Sequence, residues 1–169
     1  MKEIPRKNYI ILGVILLLTV LLAFYVRDWY ITSMEYYSSN SVIKNEVREI
    51  NENEIGSYTI ESQKFILYVS SGVNSDIKNF EKEFRKIIER IDNEDILYLN
   101  LDNVDVTNFN DNLKDNFALN NRVASQITDS PSSIYIFQDG KIVGVLSDAN
   151  TYSNSNIEAF LKKWGFKND

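Results

Sequence analysis

The side chains that could carry chemistry in this sequence are carboxylates, hydroxyls and lysines. The 169 residues include no histidine and no cysteine. This composition excludes Ser-His-Asp and Cys-His catalysis, haem and iron–sulfur ligation, and the ordinary zinc site. Thiol–disulfide exchange is excluded as well, because its nucleophile is a cysteine thiolate. Any activity would therefore use oxygen-based groups or a lysine.

Two stretches contain the residue types of known sites. Ser75-Asp-Ile-Lys78 has the S-x-x-K spacing of penicillin-recognising enzymes, but the S-D-N and K-T-G motifs that accompany it there are absent, and we interpret it as a helix start. The Asn-rich stretch from Asp102 to Asp115 supplies carboxylates and amides. No frame of it provides the alternating ligands, glycine and final glutamate of a calcium-binding loop. We interpret it as a solvated connection, and we predict neither a metal nor a cofactor.

An apolar segment near the N-terminus predicts a membrane anchor. Tyr9 to Val26 is a run of eighteen residues without a charge, and as a helix it would span roughly 27 Å of a bilayer core of about 30 Å. Lys2, Arg6 and Lys7 precede it, so the positive-inside rule places the N-terminus in the cytoplasm. A cleaved signal peptide is less favoured, because the run is long and no A-x-A-like site follows it.

The composition divides the chain into four segments. We predict a cytoplasmic tail over 1–8, a transmembrane anchor over 9–26, a juxtamembrane stalk or helix over 27–56 and a folded domain over 57–169. Within the stalk, Ile43, Val47 and Ile50 are spaced i, i+4, i+7, which is typical of one face of a helix. We expect this helix to pack on the domain that follows.

The domain alternates between strand and helix patterns. Short apolar, β-branched and aromatic runs predict four strands, at 64–70, 96–101, 133–137 and 142–146. Helical periodicity lies between the first two strands, before the third and after the fourth. A crossover helix makes the first two strands parallel, while Asp139-Gly140 predicts a tight hairpin between the last two. The expected fold is α/β, with a four-stranded mixed sheet, flanking helices and one N-terminal transmembrane helix.

Two stretches of this domain resemble thioredoxin-like proteins. KFILYVSSGVNSDIKNFEKEF is similar to their first core strand, active-site loop and first helix, and SPSSIYIFQDGKIVGVL is similar to their proline loop and terminal hairpin. The chain resembles membrane-anchored bacterial members of this superfamily that lack the C-x-x-C cysteines, including the bacteriocin transport accessory type. The resemblance implies a thioredoxin-like fold over about residues 60–166.

The family's reactive site is degenerate in this sequence. The positions that match C-x-x-C are Asn74, Ser75, Asp76 and Ile77, so the usual redox activity is not expected. Pro131 matches the family's cis-proline, and the resemblance implies a cis Ser130–Pro131 bond beside a backbone that pairs with extended peptides. The candidate peptide-binding residues are Gly72, Val73, Asn74, Ser75, Asp76, Ser130, Pro131 and Ser132.

These observations favour a non-catalytic binding module. We expect a redox-inactive domain on the outer face of a bacterial membrane that binds a peptide or a secreted or membrane protein. The net charge of −6 argues against nucleic acid as a partner. A structural subunit of a multi-protein membrane complex, for secretion or transport, is the alternative. A non-thiol enzyme such as a carboxylate-based hydrolase is a third and less favoured class.

The topology prediction can be tested on intact protoplasts. Protease added from outside should remove the C-terminal domain and leave a protected fragment of about 3 kDa, because only the tail and anchor lie beyond its reach. Immunoblotting of an N-terminal epitope measures the fragment. Full protection of the domain, while an outer-face control protein is digested, would contradict the predicted orientation.

Overall fold

The computed structural model describes residues 6–39, 41–72, 74–91 and 95–166. The chain divides into two compact units, Met1–Ser39 and Asn40–Asp169. The first unit contains one helix, and the second contains a five-stranded sheet with helices on both faces.

The N-terminal unit is the 34-residue helix α1, Arg6–Ser39. Within it, Lys7–Tyr30 is long and apolar enough to cross a membrane, and its hydrophobic window is exposed. The helix therefore continues beyond the predicted anchor of 9–26. Twenty-four residues of helix span about 36 Å, which exceeds the roughly 30 Å of a bilayer core.

The second unit is built on a mixed sheet with the strand order β1-β3-β2-β4-β5. The strands are β1 Arg48–Glu49, β2 Lys64–Ser70, β3 Ile96–Asn100, β4 Ser132–Gln138 and β5 Lys141–Ser147. β2 pairs in parallel with β3 and antiparallel with β4, and β4 pairs antiparallel with β5. The four predicted strands and their directions are therefore confirmed.

The helices of this unit are arranged between and after the strands. They are α2 Ile55–Glu61, α3 Ser75–Ile88, α4 Val106–Asn112, α5 Asn121–Ala124 and α6 Asn154–Lys163. A short π-helical segment, Leu113–Phe117, continues α4, and 3₁₀ turns lie at Glu52–Glu54 and Ala149–Thr151. The β4–β5 hairpin turns through Asp139 and Gly140, whose φ angles of 51° and 75° fit the Asp-Gly signal.

Each face of the sheet is covered by its own hydrophobic cluster. Ile66 and Tyr68 of β2 point toward α3 and α6, whereas Phe65, Leu67 and Val69 point toward α2, α4 and α5. Successive side chains of a strand alternate between faces, so a strand covered on both sides is apolar throughout. This explains why β2 is nearly uniformly apolar in sequence.

The predicted helix around Ile43, Val47 and Ile50 is wrong. The segment instead forms turns and the strand β1, in which Arg48 lies opposite Leu97 of β3, and the Ile50 N–H donates to the Tyr98 carbonyl at 2.8 Å. Ile43 and Val47 join the cluster that contains α3, while Ile50 joins the cluster on the other face. A helix would place all three on one side, whereas a chain running along the sheet edge reaches both.

Gly144 of β5 allows α6 to end against the sheet. A Cβ at this position would lie 2.5 Å from Nε1 and 2.7 Å from Cε2 of Trp164, which follows α6. Real Cβ atoms do not approach other atoms so closely. The indole therefore occupies the space that any larger residue at 144 would need.

Gly144→Ala should destabilise the folded domain by about 1–3 kcal/mol, because the added methyl group overpacks the contact with Trp164. Gly56→Ala in α2 is the matched control, since nothing lies within 4 Å of its Cβ position. That change should be neutral or slightly stabilising. Urea unfolding of both full-length variants measures the difference, and equal stabilities would contradict the packing described.

Candidate functional site

The residues at the degenerate C-x-x-C positions begin a helix. The Asn74 side-chain Oδ1 accepts hydrogen bonds from the Asp76 N–H at 2.9 Å and, more weakly, the Ile77 N–H at 3.5 Å. Asn74 is thus the N-cap of α3, a role that asparagine fills well. Ile77 is fully buried, whereas Ser75 and Asp76 are exposed. These positions provide a cap and a core residue, and none of them carries a thiol.

The structure brings the two predicted segments together at one end of β2. The Ser71 N–H donates to the Pro131 carbonyl at 3.0 Å, one step beyond the paired residues Ser70 and Ser132. Gly72 and Asn74–Asp76 follow on one side of this contact, and Ser130–Ser132 lie on the other. Val73 lies outside the described residues.

The expected cis bond at Ser130–Pro131 is wrong. None of the peptide bonds described is cis. A trans bond is the ordinary state of an X–Pro peptide, and only the family resemblance favoured cis. Here the trans geometry places exposed Pro131 at the entry to β4 with its carbonyl bonded to Ser71.

Serine hydroxyls tie this proline loop to the end of β5. The Ser130 hydroxyl accepts from the Asp148 N–H and contacts its carboxylate, both at 2.8 Å. The Ser132 hydroxyl donates to the Asn150 Oδ1 at 2.8 Å and accepts from the Asn150 N–H at 3.1 Å. Asp148 adopts a left-handed conformation with φ of 52°. The polar groups of Ser130 and Ser132 are therefore largely used within the domain.

Asp102 holds the loop that follows β2. Its carboxylate accepts from the Ser71 hydroxyl at 2.6 Å and from the Gly72 N–H at 3.2 Å. Asp102 is the first residue of the Asn-rich stretch that ends at Asp115, which contains the ligand types of a calcium site. Within the described part of the chain, no group of three or more His, Cys, Asp or Glu residues is placed to hold a metal. The Asp102 carboxylate instead holds Ser71 and Gly72 at the edge of the candidate surface.

A buried carboxylate that the sequence analysis missed lies beneath this surface. Glu81 of α3 has no exposed area. Its Oε2 accepts from the Ser41 hydroxyl at 2.8 Å and the Val42 N–H at 2.7 Å. Its Oε1 accepts from the Ser70 hydroxyl at 2.8 Å and the Tyr68 hydroxyl at 3.1 Å. The sequence feature that could have identified Glu81 as buried is its position four residues after Ile77, on the apolar face of the helix.

The tyrosines near Glu81 remain protonated to high pH. Burial, reinforced by the negative charge of Glu81, raises the pKa of Tyr68 well above its ordinary value. Burial also raises the pKa of Tyr98 to about 12, while the neighbouring Ser70 and Ser41 hydroxyls oppose the shift. Despite that proximity, the Tyr98 hydroxyl has no partner with hydrogen-bond geometry among the described residues.

Solved structures establish the fold but not an activity. No family model matches this sequence, and no curated protein matches it. Thioredoxin from Plasmodium falciparum is 14% identical, with a TM-score of 0.52 over 70% of this chain and 100% of that chain. Mitochondrial thioredoxin 3 from Saccharomyces cerevisiae is 12% identical, with a TM-score of 0.49 over 70% and 95% of the two chains. The chain has the thioredoxin-like fold, and its lack of cysteine is compatible with a role outside redox chemistry.

Two buried tyrosines provide a matched test of the Glu81 site. Tyr68→Phe removes a donor from the buried carboxylate and should lower the free energy of unfolding by about 1–3 kcal/mol at pH 7. Tyr98→Phe removes a hydroxyl without a partner, so it should be neutral or stabilising. Urea unfolding of the full chain in detergent, followed by near-UV circular dichroism, measures both. Equal losses in the two variants would contradict the hydrogen bond to Glu81.

Removing the Tyr98 hydroxyl should also change the stability at alkaline pH. Folding raises the pKa of Tyr98 to about 12, above the unfolded-state value of about 10. The contribution of the protonated hydroxyl to stability is therefore fully present below about pH 10. That contribution is lost as the pH rises from about 10 to 12. Tyr98→Phe should therefore flatten the decline of stability in this window, and an unchanged decline would contradict the shifted pKa.

Proposed function

We propose that this chain is a redox-inactive, thioredoxin-like binding module tethered to the outer face of a bacterial membrane. The observation that carries the proposal is that Asn74, Ser75, Asp76 and Ile77 occupy the C-x-x-C positions at the start of α3. Asn74 caps α3, Ile77 is buried in the core, and the chain contains no cysteine. A helix start of this kind has no group that exchanges disulfides, so the surface is left for binding.

The tether is supported by α1. Lys7–Tyr30 has the length and hydropathy of a membrane span, and Lys2, Arg6 and Lys7 form a basic N-terminal flank. Such a flank favours a cytoplasmic N-terminus, which places the domain that follows on the extracytoplasmic side. The partner would then be a peptide or a secreted or membrane protein.

The binding surface is proposed at the end of β2, over Gly72–Asp76 and Ser130–Ser132. Asn74, Ser75, Asp76 and Pro131 are exposed there. The loop is held by Asp102 on one side and by the Ser71–Pro131 hydrogen bond on the other. A surface ordered before binding loses less conformational entropy when a partner docks.

A permanent structural subunit is the second candidate. It is favoured by the hydrogen bonds that use the Pro131 carbonyl and the Ser130 and Ser132 hydroxyls inside the domain. An extended peptide that adds to a sheet needs free backbone groups. The more of these groups the domain itself uses, the more the interaction must depend on side chains or on other surfaces.

Site-specific photo-crosslinking in membranes tests the binding surface. A photoreactive residue at Asp76 or Pro131 should cross-link one extracytoplasmic partner. The same residue at exposed Gln138 is the control, because it lies at the opposite end of the seven-residue strand β4, about 20 Å from its first residue. Immunoblotting and mass spectrometry of the adducts identify the partner.

The distribution of adducts separates the two candidates. Adducts at Asp76 and Pro131 that a competing partner peptide removes would support reversible binding at this surface. A stoichiometric partner that survives detergent and high salt and cross-links equally from Gln138 would support the structural subunit. No adduct at Asp76 or Pro131 would contradict the proposed surface.

A further inference from the structure

A cavity lies along β5, away from the proline loop. Its volume is about 390 Å³, and α5 and the end of α6 form its two sides. This is within the range of about 300–1,000 Å³ that is usual for ligand pockets. Its apolar lining consists of Leu119, Val123, Val143, Val145, Phe160 and Trp164.

The cavity has a local positive charge in an acidic protein. Arg122 and Lys163 both line it, and none of its lining residues is acidic. In the described part of the chain, neither cation takes part in an ion pair, although Lys163 Nζ lies 5.4 Å from the centre of the Trp164 ring. Although the overall charge of the protein is −6, this site offers two cations without an ion-pair partner among the described residues, beside a lining of both apolar and polar side chains.

The walls of the cavity are fixed by contacts at both ends of β5. The Leu119 N–H donates to the Ile142 carbonyl at 3.1 Å, and the Ser147 hydroxyl donates to the Gln126 carbonyl at 2.7 Å. The segment between Leu119 and Gln126 is thus held against the strand, with the cavity beside it. On the other side, the Trp164 indole packs over Gly144, and its buried Nε1–H has no acceptor among the described residues.

We propose that this cavity binds the carboxyl terminus of a partner polypeptide that ends in an apolar residue. The terminal carboxylate would pair with Arg122 and Lys163, and the last side chain would occupy the apolar lining. Charge complementarity carries this assignment, because a carboxylate next to an apolar group matches both features of the lining. The site is separate from the surface at Pro131 and does not depend on it.

The lining favours a peptide over a free fatty acid. Asn120 and Gln126 also line the cavity, so a long alkyl chain would contact amides as well as apolar side chains. A peptide terminus brings a short apolar group and backbone amides that such side chains can meet.

The test uses the full chain in detergent micelles. Trp29→Phe leaves Trp164 as the sole tryptophan, so its fluorescence reports directly on the cavity. The probes are a set of peptides that differ only in the last residue, each made with a free carboxylate and as the amide. Peptides with an apolar last residue should bind, and their amides should bind about tenfold more weakly or worse.

Charge variants identify the site. Arg122→Gln with Lys163→Gln should weaken binding of the free-carboxylate peptides by about tenfold or more. The matched control is Lys82→Gln with Lys162→Gln, which removes two exposed cations that do not line the cavity and should leave binding unchanged. Equal binding of acid and amide, equal binding by both double variants, or no binding by any peptide would overturn the proposal. Tighter binding of laurate than of every peptide would also overturn it, in favour of a free amphiphile.

Discussion

The buried carboxylate of Glu81 organises the end of the sheet where the candidate surface lies. Two donors come from Ser41 and Val42, just after the N-terminal unit, and two come from Tyr68 and Ser70 of β2. A buried carboxyl group is tolerated only when its hydrogen-bonding capacity is filled. The carboxyl group therefore requires three separate segments to meet at one point, and this requirement fixes where the domain begins.

The hydrogen bonds of Glu81 continue, through Ser70, to the candidate binding surface. Ser70 donates to Glu81 and pairs with Ser132, whose hydroxyl bonds Asn150. The Ser71–Pro131 hydrogen bond is the next step along the same pair of strands. The proline loop is therefore connected to the core through polar contacts at every step, in a chain without any disulfide. The described residues of the surface are therefore held by hydrogen bonds and carry no thiol, whereas redox proteins with this fold carry a reactive cysteine at the helix start.

Sequence patterns were sufficient to predict four of the five strands. They were insufficient to predict the edge segment before β2, the conformation of the proline loop and the cavity. The runs at 64–70, 96–101, 133–137 and 142–146 were predictable because burial on both faces leaves a continuous apolar signal. The i, i+4, i+7 spacing of Ile43, Val47 and Ile50 wrongly predicted a helix, because the same spacing also arises by chance in a segment of turns and a short edge strand. The cis-proline was inferred by resemblance alone. The cavity beside β5 could not be predicted, since Arg122 and Lys163 are 41 positions apart in the sequence.

By itself the sequence determined the absence of thiol chemistry, the apolar span near the N-terminus and the alternation of strands and helices. These are properties of composition and local period, so no distant contact is needed to predict them. Tertiary structure decided what Glu81 binds, which conformation Pro131 adopts and which cations share a cavity. Ser41 and Glu81 meet across forty residues, and Ser130 and Asp148 across eighteen. Local patterns show which residues are buried, but only the folded chain determines which remote group completes each hydrogen bond.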